Sequence, residues 1–189
     1  PQIYLGHVAL TDVTGKRFLT RERLARRATG RAGARAVPLE VWLDDWTIRE
    51  HSGGEGGLSV ALTARDEDMA IVLELDARTP PVLQGDAGLS AKSGLGGHAS
   101  YYYSMPRWTT RGTLTLGTRT VPVTGTSWLD REWSSQSLAK GQAGWDWFGL
   151  NFDAGASFMY YQLRTQAGAD PASEGRWMFS GGANARLRH

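Results

Sequence analysis

The strongest constraint in this chain is a period of two: apolar and polar residues alternate over short runs, and turn-forming residues cut the runs apart. Successive side chains of an extended strand point to opposite faces, so such runs bury one face and leave the other wet. The pattern predicts an all-β chain. Residues 3–10 and 16–24 flank Asp12-Val13-Thr14-Gly15 and read as a hairpin. Residues 41–48, 58–64 and 70–76 follow as an antiparallel meander, the first two separated by the glycine-rich stretch 52–57. Further strands are expected at 100–104, 109–116, 120–124, 126–133, 145–153 and 157–164, with room for a helical turn only at 24–36 and 134–140. Many short strands at regular spacing imply a closed or nearly closed antiparallel barrel, which also removes exposed edges.

Two stretches break the period. Residues 78–97 are rich in Pro, Gly and Ser and read as a long loop, of the kind that forms lids and binding loops. After Arg164 the chain turns small and polar, which sets a boundary near 165: a barrel domain over 1–165, then a linker or truncated start of a second domain over 166–189. Pro1 leads straight into a strand, as it would after removal of a signal peptide or an earlier strand.

At 189 residues such a domain builds a core without a metal or disulfide staple. No apolar run approaches the roughly 20 residues of a membrane helix, so no membrane span is expected. There is no cysteine, which excludes disulfides, zinc–thiolate centres and thiol nucleophiles. Arg21, Arg23, Arg26, Arg27, Arg31 and Arg35 cluster in one segment. They are not interleaved with exposed aromatics or set on a recognition helix, so they read as a solvated loop and nucleic acid is not an expected partner.

Eight tryptophans are present, and Trp42, Trp46, Trp108, Trp128, Trp133, Trp145 and Trp147 fall on or beside the expected strands. Any one of them can be plain core filling; as a set they favour a rigid apolar cavity wall. In 126–133, alternation puts Trp128, Asp130 and Glu132 on one face and Leu129, Arg131 and Trp133 on the other. Two readings stay open. A carboxyl buried beside an indole is pushed toward its neutral form and donates protons near neutral pH; a rim cluster in water pairs with arginine instead. In 100–104, Tyr101 and Tyr103 share a face and are candidates for orienting an acid or a ligand oxygen, with Tyr102 assigned to packing. His7 runs in phase with Ile3, Leu5 and Ala9, and no second histidine stands at ligand spacing, so no metal site is expected. No nucleophile elbow, phosphate loop or dinucleotide fingerprint is present. Acid–base chemistry or pure binding remains, with no cofactor called for.

Several segments resemble the carotenoid hydratase and AttH-like group of lipocalin-type proteins, some labelled secreted hydrolases. They are His7-Val8-Ala9-Leu10-Thr11-Asp12, residues 41–46, the ASYYYSMPR run from Ala99 to Arg107, the WLDREWS run from Trp128 to Ser134, and GWDWFGLNFD from Gly144 to Asp153. The resemblance covers most of residues 3–165 and implies a lipocalin-like antiparallel β-barrel, whole or incomplete, from a family that carries two such barrels in tandem. It also implies an apolar isoprenoid, lipid or polyketide-like ligand and a periplasmic or secreted location. In the hydratases an aspartate protonates a double bond and water adds to the cation; Asp130 stands at the matching position, Trp128 where they carry tyrosine, and Tyr101 where they carry histidine.

Three functions follow. An enzyme, of hydratase, lyase or hydrolase type, would use Asp130 as general acid with Glu132, Tyr101 and Tyr103 beside it, and Trp128 stabilising positive charge through its π face. His7, Trp46, Arg107, Trp145 and Trp147 would line its substrate site. A carrier would use the same residues as a polar anchor in an apolar cup. A fragment of a two-domain protein would lack the other barrel as its partner and have no activity alone.

Overall fold

Among the described residues sixteen strands carry the fold: β1 (Ile3–Asp12), β2 (Arg17–Arg26), β3 (Ala32–Arg35), β4 (Glu40–Leu43), β5 (Trp46–Glu50), β6 (Ser59–Arg65), β7 (Met69–Asp76), β8 (Val82–Leu83), β9 (Leu89–Ala91), β10 (Ala99–Leu116), β11 (Arg119–Trp133), β12 (Gln142–Asn151), β13 (Ser157–Thr165), β14 (Gly168–Ala169), β15 (Glu174–Met178) and β16 (Asn184–Arg188). The structure is a computed structural model that describes residues 2–51, 57–94, 97–136 and 138–188. Among them the only helical piece is a 3-10 turn at Arg27–Thr29, so the all-β expectation holds. The chain divides into two compact units: residues 1–78 with 109–126, and residues 79–108 with 127–189.

In the first unit β1 and β2 form the expected hairpin, in register from Ile3↔Arg26 to Asp12↔Arg17. Asp12 Oδ1 closes its turn by accepting the Gly15 N–H at 2.8 Å. Strands β3 to β7 form a meander that continues onto residues 109–116 of β10 and 119–126 of β11. The run 41–48, expected as one strand, is instead the hairpin β4–β5. Asp44 turns the chain at φ +56°, a left-handed conformation that aspartate tolerates, and accepts Arg31 on its side chain at 2.7 Å. The glycine-rich 52–56 lies outside the described residues. Gly112 lets β10 pass β7: at φ +155° a Cβ there would stand 2.1 Å from the Val72 carbonyl oxygen.

The second unit holds residues 99–108 of β10 and 127–133 of β11, with β8 and β9 paired to β10. Beside them stands a sheet in the order β12-β13-β15-β16, with β14 on β13. Two expectations are corrected here. The segment 78–97 is not structureless where described, since β8 and β9 add to β10. Residues 166–189, expected as a linker or the truncated start of a second domain, carry strands where described: β15 pairs with β13 from Ser157↔Met178 to Tyr161↔Glu174, and β16 pairs with β15. Small, polar residues hid these strands because short strands with half-buried faces carry little hydrophobic contrast.

Each unit has its own packed interior. Ala25, Ala32 and Leu43 are buried with Tyr4 against them in the first; Tyr102, Met159, Tyr161, Leu163 and Met178 form the core of the second.

Candidate functional site

The second unit positions polar groups on two adjacent strands. On β10 the residues facing inward are Ser100, Tyr102 and Ser104, all buried, and on β11 the matching face carries Trp128, Asp130 and Glu132. Ser100 Oγ donates to Glu132 and Ser104 Oγ donates to Asp130 at 2.5 Å. Trp128 Nε1 donates to the same Asp130 oxygen at 2.8 Å, and Gln84 Nε2 donates to Ser104 Oγ at 3.0 Å. The Tyr102 hydroxyl interacts with Asp130 and Ser104 and accepts the Trp147 indole N–H at 3.1 Å. Burial first, and the Asp130 charge second, push the Tyr102 phenol far above the usual tyrosine range, so its proton stays on at neutral pH.

A cavity of about 420 Å³ opens beside this network. Its wall holds Lys92, Ser100, Tyr102, Glu132 and Tyr161 as polar groups and Trp133, Trp145, Trp147, Leu138 and Leu163 as apolar ones. Lys92 is buried. Its Nζ lies 2.8 Å from Glu132 and 3.8 Å from the centre of the Tyr161 ring, so a carboxylate and a π face together offset its desolvation. Gln142 fixes the backbone there by donating to the Lys92 carbonyl at 2.6 Å. Behind the lysine, Tyr161 and Ser90 share a hydrogen bond at 2.8 Å, and Ser90 donates to Glu174 at 2.9 Å. Burial pushes the Tyr161 phenol upward as well.

The residues expected from sequence separate into three groups. Asp130, Glu132, Trp128, Trp145 and Trp147 come together in the second unit. Trp128 and Asp130 are not in the cavity wall; the Trp128 ring meets the edge of Trp147 at 6.0 Å, and its N–H is committed to Asp130. Tyr101 and Tyr103 are placed differently from expectation. They lie on the opposite face of β10, against Trp133, with Tyr101 stacked at 5.6 Å and 56% exposed. The tyrosine that faces the carboxylates is Tyr102, because the serines on either side of it hydrogen-bond to them.

His7, Trp46 and Arg107 stand apart from the cavity. His7 belongs to the first unit, exposed and 3.2 Å from Glu22. The face of β1 that packs is the one with Gly6, where a Cβ would meet Leu43 at 2.8 Å. Trp46, also in the first unit, is buried under the Arg23 guanidinium and donates to the Arg65 carbonyl at 3.0 Å. Arg107 turns β10 at φ +60° and donates to Ser157 and to the Ala156 carbonyl.

Sequence reasoning missed Lys92 and Tyr161. One of three lysines in the chain, and set in the loop that broke the strand pattern, Lys92 was the available signal. Among the described residues no group of histidine, aspartate and glutamate is arranged to hold a metal ion, and no helix is long and apolar enough to cross a membrane.

The AttH-like family model matches residues 1–189. The chain belongs to the AttH-like family. A crystal structure of an AttH protein from Nitrosomonas europaea is 30% identical, with a TM-score of 0.86 over 98% of this chain and 56% of that one. The crystal structure of kievitone hydratase from Nectria haematococca shares the fold at 12% identity, with a TM-score of 0.73 over 97% of this chain and 55% of that one. The fold is therefore lipocalin-like, as the sequence resemblance implied, and the chain spans about half the length of the solved structures it matches. No curated protein matches the chain significantly.

Proposed function

We propose that this AttH-like chain takes up an apolar small molecule carrying one oxygen function and acts on it by acid–base chemistry, as a hydratase or isomerase. The observation that carries this reading is the meeting of an ammonium, a carboxylate and a phenol in a cavity walled by three indoles. At about 420 Å³ the cavity falls in the range of small-molecule sites, which lies at roughly 300–1,000 Å³.

Lys92 gives the ligand oxygen a fixed positive partner as negative charge develops there. Glu132 takes a proton from water as the water oxygen bonds to an alkene carbon conjugated to that oxygen function. Tyr102, which holds its proton at neutral pH, delivers one to the neighbouring carbon, and the proton on Glu132 restores the phenol; the net change is addition of one water. Asp130 contacts no ligand in this scheme. It holds the Tyr102 hydroxyl, with Ser104 and Trp128 fixing its carboxylate in turn. The hydratase among the fold's solved members supports this choice of chemistry, and the resemblance read from sequence supports a secreted or periplasmic setting.

Turnover of a panel of conjugated apolar ketones by the purified chain tests the reading. Glu132→Gln and Tyr102→Phe should each lower kcat by about 10²-fold or more while ligand affinity, read by tryptophan quenching, moves far less. Undiminished turnover in both variants would sink the enzyme. One observation favours a carrier: both carboxylates already accept serine hydroxyls, as fixed anchors do. A carrier predicts tight binding without turnover, abolished by filling the cavity with Leu138→Trp.

A further inference from the structure

A second cavity in the same unit shares no wall residue with the first. It has a volume of about 590 Å³ and is bounded by β8, by β15 and by the chain on either side of residue 181. Among the described residues two guanidinium groups line it, and no carboxylate does. Arg107 donates through Nε to Ser157 Oγ at 3.1 Å and through Nη2 to the Ala156 carbonyl at 2.8 Å and the Phe152 carbonyl. Arg176 donates to the Gly85 carbonyl at 2.8 Å and to the Asn184 side-chain oxygen, and its Nε is buried with no partner among the described residues.

Every one of these acceptors is a neutral oxygen. They hold the two side chains in place without balancing their charge. Glu174 on the same strand as Arg176 attracts it only through space, since Arg186 and Ser90 hold its carboxylate. Burial, then repulsion from Arg186, disfavour the charged form of Arg176 and outweigh the attraction of Glu174, so its pKa is lowered and its charge is only partly balanced. The rest of the wall includes Pro80, Pro81, Leu83 and Met178, an apolar surface. A guanidinium fork matches a carboxylate in shape and charge, and a partly desolvated one gains most from such a partner.

We infer that this cavity is a binding site for an apolar molecule ending in a carboxylate, its head between Arg107 and Arg176 and its body against the prolines, Leu83 and Met178. The site is separate from the Lys92 cavity and does not depend on the chemistry proposed there. It makes a fatty or terpenoid acid, rather than a hydrocarbon or an alcohol, the ligand of this end of the unit.

The test uses octanoate and octan-1-ol, which share an apolar body and differ in the head. Calorimetric titration of the whole chain should show saturable octanoate binding at least about tenfold tighter than octanol, a gap of about 1.4 kcal/mol. With methyl-labelled protein the Met178 resonance should move on octanoate addition and the Leu138 resonance, in the other cavity, should not. Arg176→Gln should remove most of the preference for the acid. Equal affinity for the two compounds overturns the proposal, as does a shift confined to Leu138. So does an Arg176→Gln variant that melts like the parent and binds octanoate undiminished. If that variant does not fold, the acid–alcohol comparison and the Met178 shift in the parent chain still decide.

Discussion

The two units handle charge in opposite ways. In the first unit the arginine-rich segment is not a loop of free charges. Arg21 pairs with Asp68, Arg23 with Asp45, Arg31 with Asp44 and Arg35 with Glu40, and water reaches both partners of every pair. In the second unit, Lys92 with Glu132 and Arg186 with Glu174 form pairs in which one member is buried, and Arg107 and Arg176 lean on neutral oxygens alone. Exposed pairs add little to stability, whereas desolvated ones are costly unless close pairing and further hydrogen bonds offset the lost hydration. The difference separates a unit whose ion pairs are partly hydrated from one that buries a member of its pairs at Lys92 and Glu174.

The sharpest way to break this contrast is Glu174→Gln. Glu174 is 5% exposed and binds both Arg186 and Ser90, so the change leaves the half-buried Arg186 cation without its carboxylate. A loss of about 3 kcal/mol in urea unfolding is expected, and a loss within error of zero would mean that the second unit tolerates bare charge.

A smaller, pH-dependent effect belongs to the first unit. Ser59 donates to Asp76 at 2.6 Å, the largest of the influences that hold the Asp76 carboxyl below its usual 3.8, with burial opposing it. A depressed carboxyl stabilises the fold above its unfolded value of 3.8 and loses that contribution as pH falls through the folded value. Ser59→Ala should therefore lower the urea midpoint at neutral pH, and the gap to the parent should shrink at about pH 2. A gap of constant size would assign the loss to packing instead. Smallest of all is Arg35→Ala: its partner Glu40 also binds Arg49 at 2.8 Å, so a change within about 0.5 kcal/mol in the same melt is expected. A loss comparable to that of Glu174→Gln would erase the distinction between the units.

Much of the fold was legible in the residues. The hairpin at Asp12 to Gly15 and the shared face of Trp128, Asp130 and Glu132 follow from period two and from turn chemistry, and both stand in the structure. Where the reading failed, it failed on phase. In β1, His7 was expected to line the substrate site in phase with Ile3 and Leu5, yet those two are 56% and 55% exposed, because the packed face is the one where Gly6 admits Leu43. In β10 the face of Tyr101 and Tyr103 was expected to meet the acid, yet Ser100 and Ser104 bind the carboxylates and so put Tyr102 on that face.

What the sequence determined by itself is that the chain is made of strands, roughly where they run, and which residues of β11 share a face. These follow from local geometry, since alternation and turn preference need only neighbouring residues. Which face of a strand is buried, that residues 174–178 complete the sheet on β13, and that Lys92 meets Glu132 from the far side of a loop were decided by tertiary structure alone. The reason is physical: alternation defines two faces, but only the partner that packs against one of them determines which is the inside.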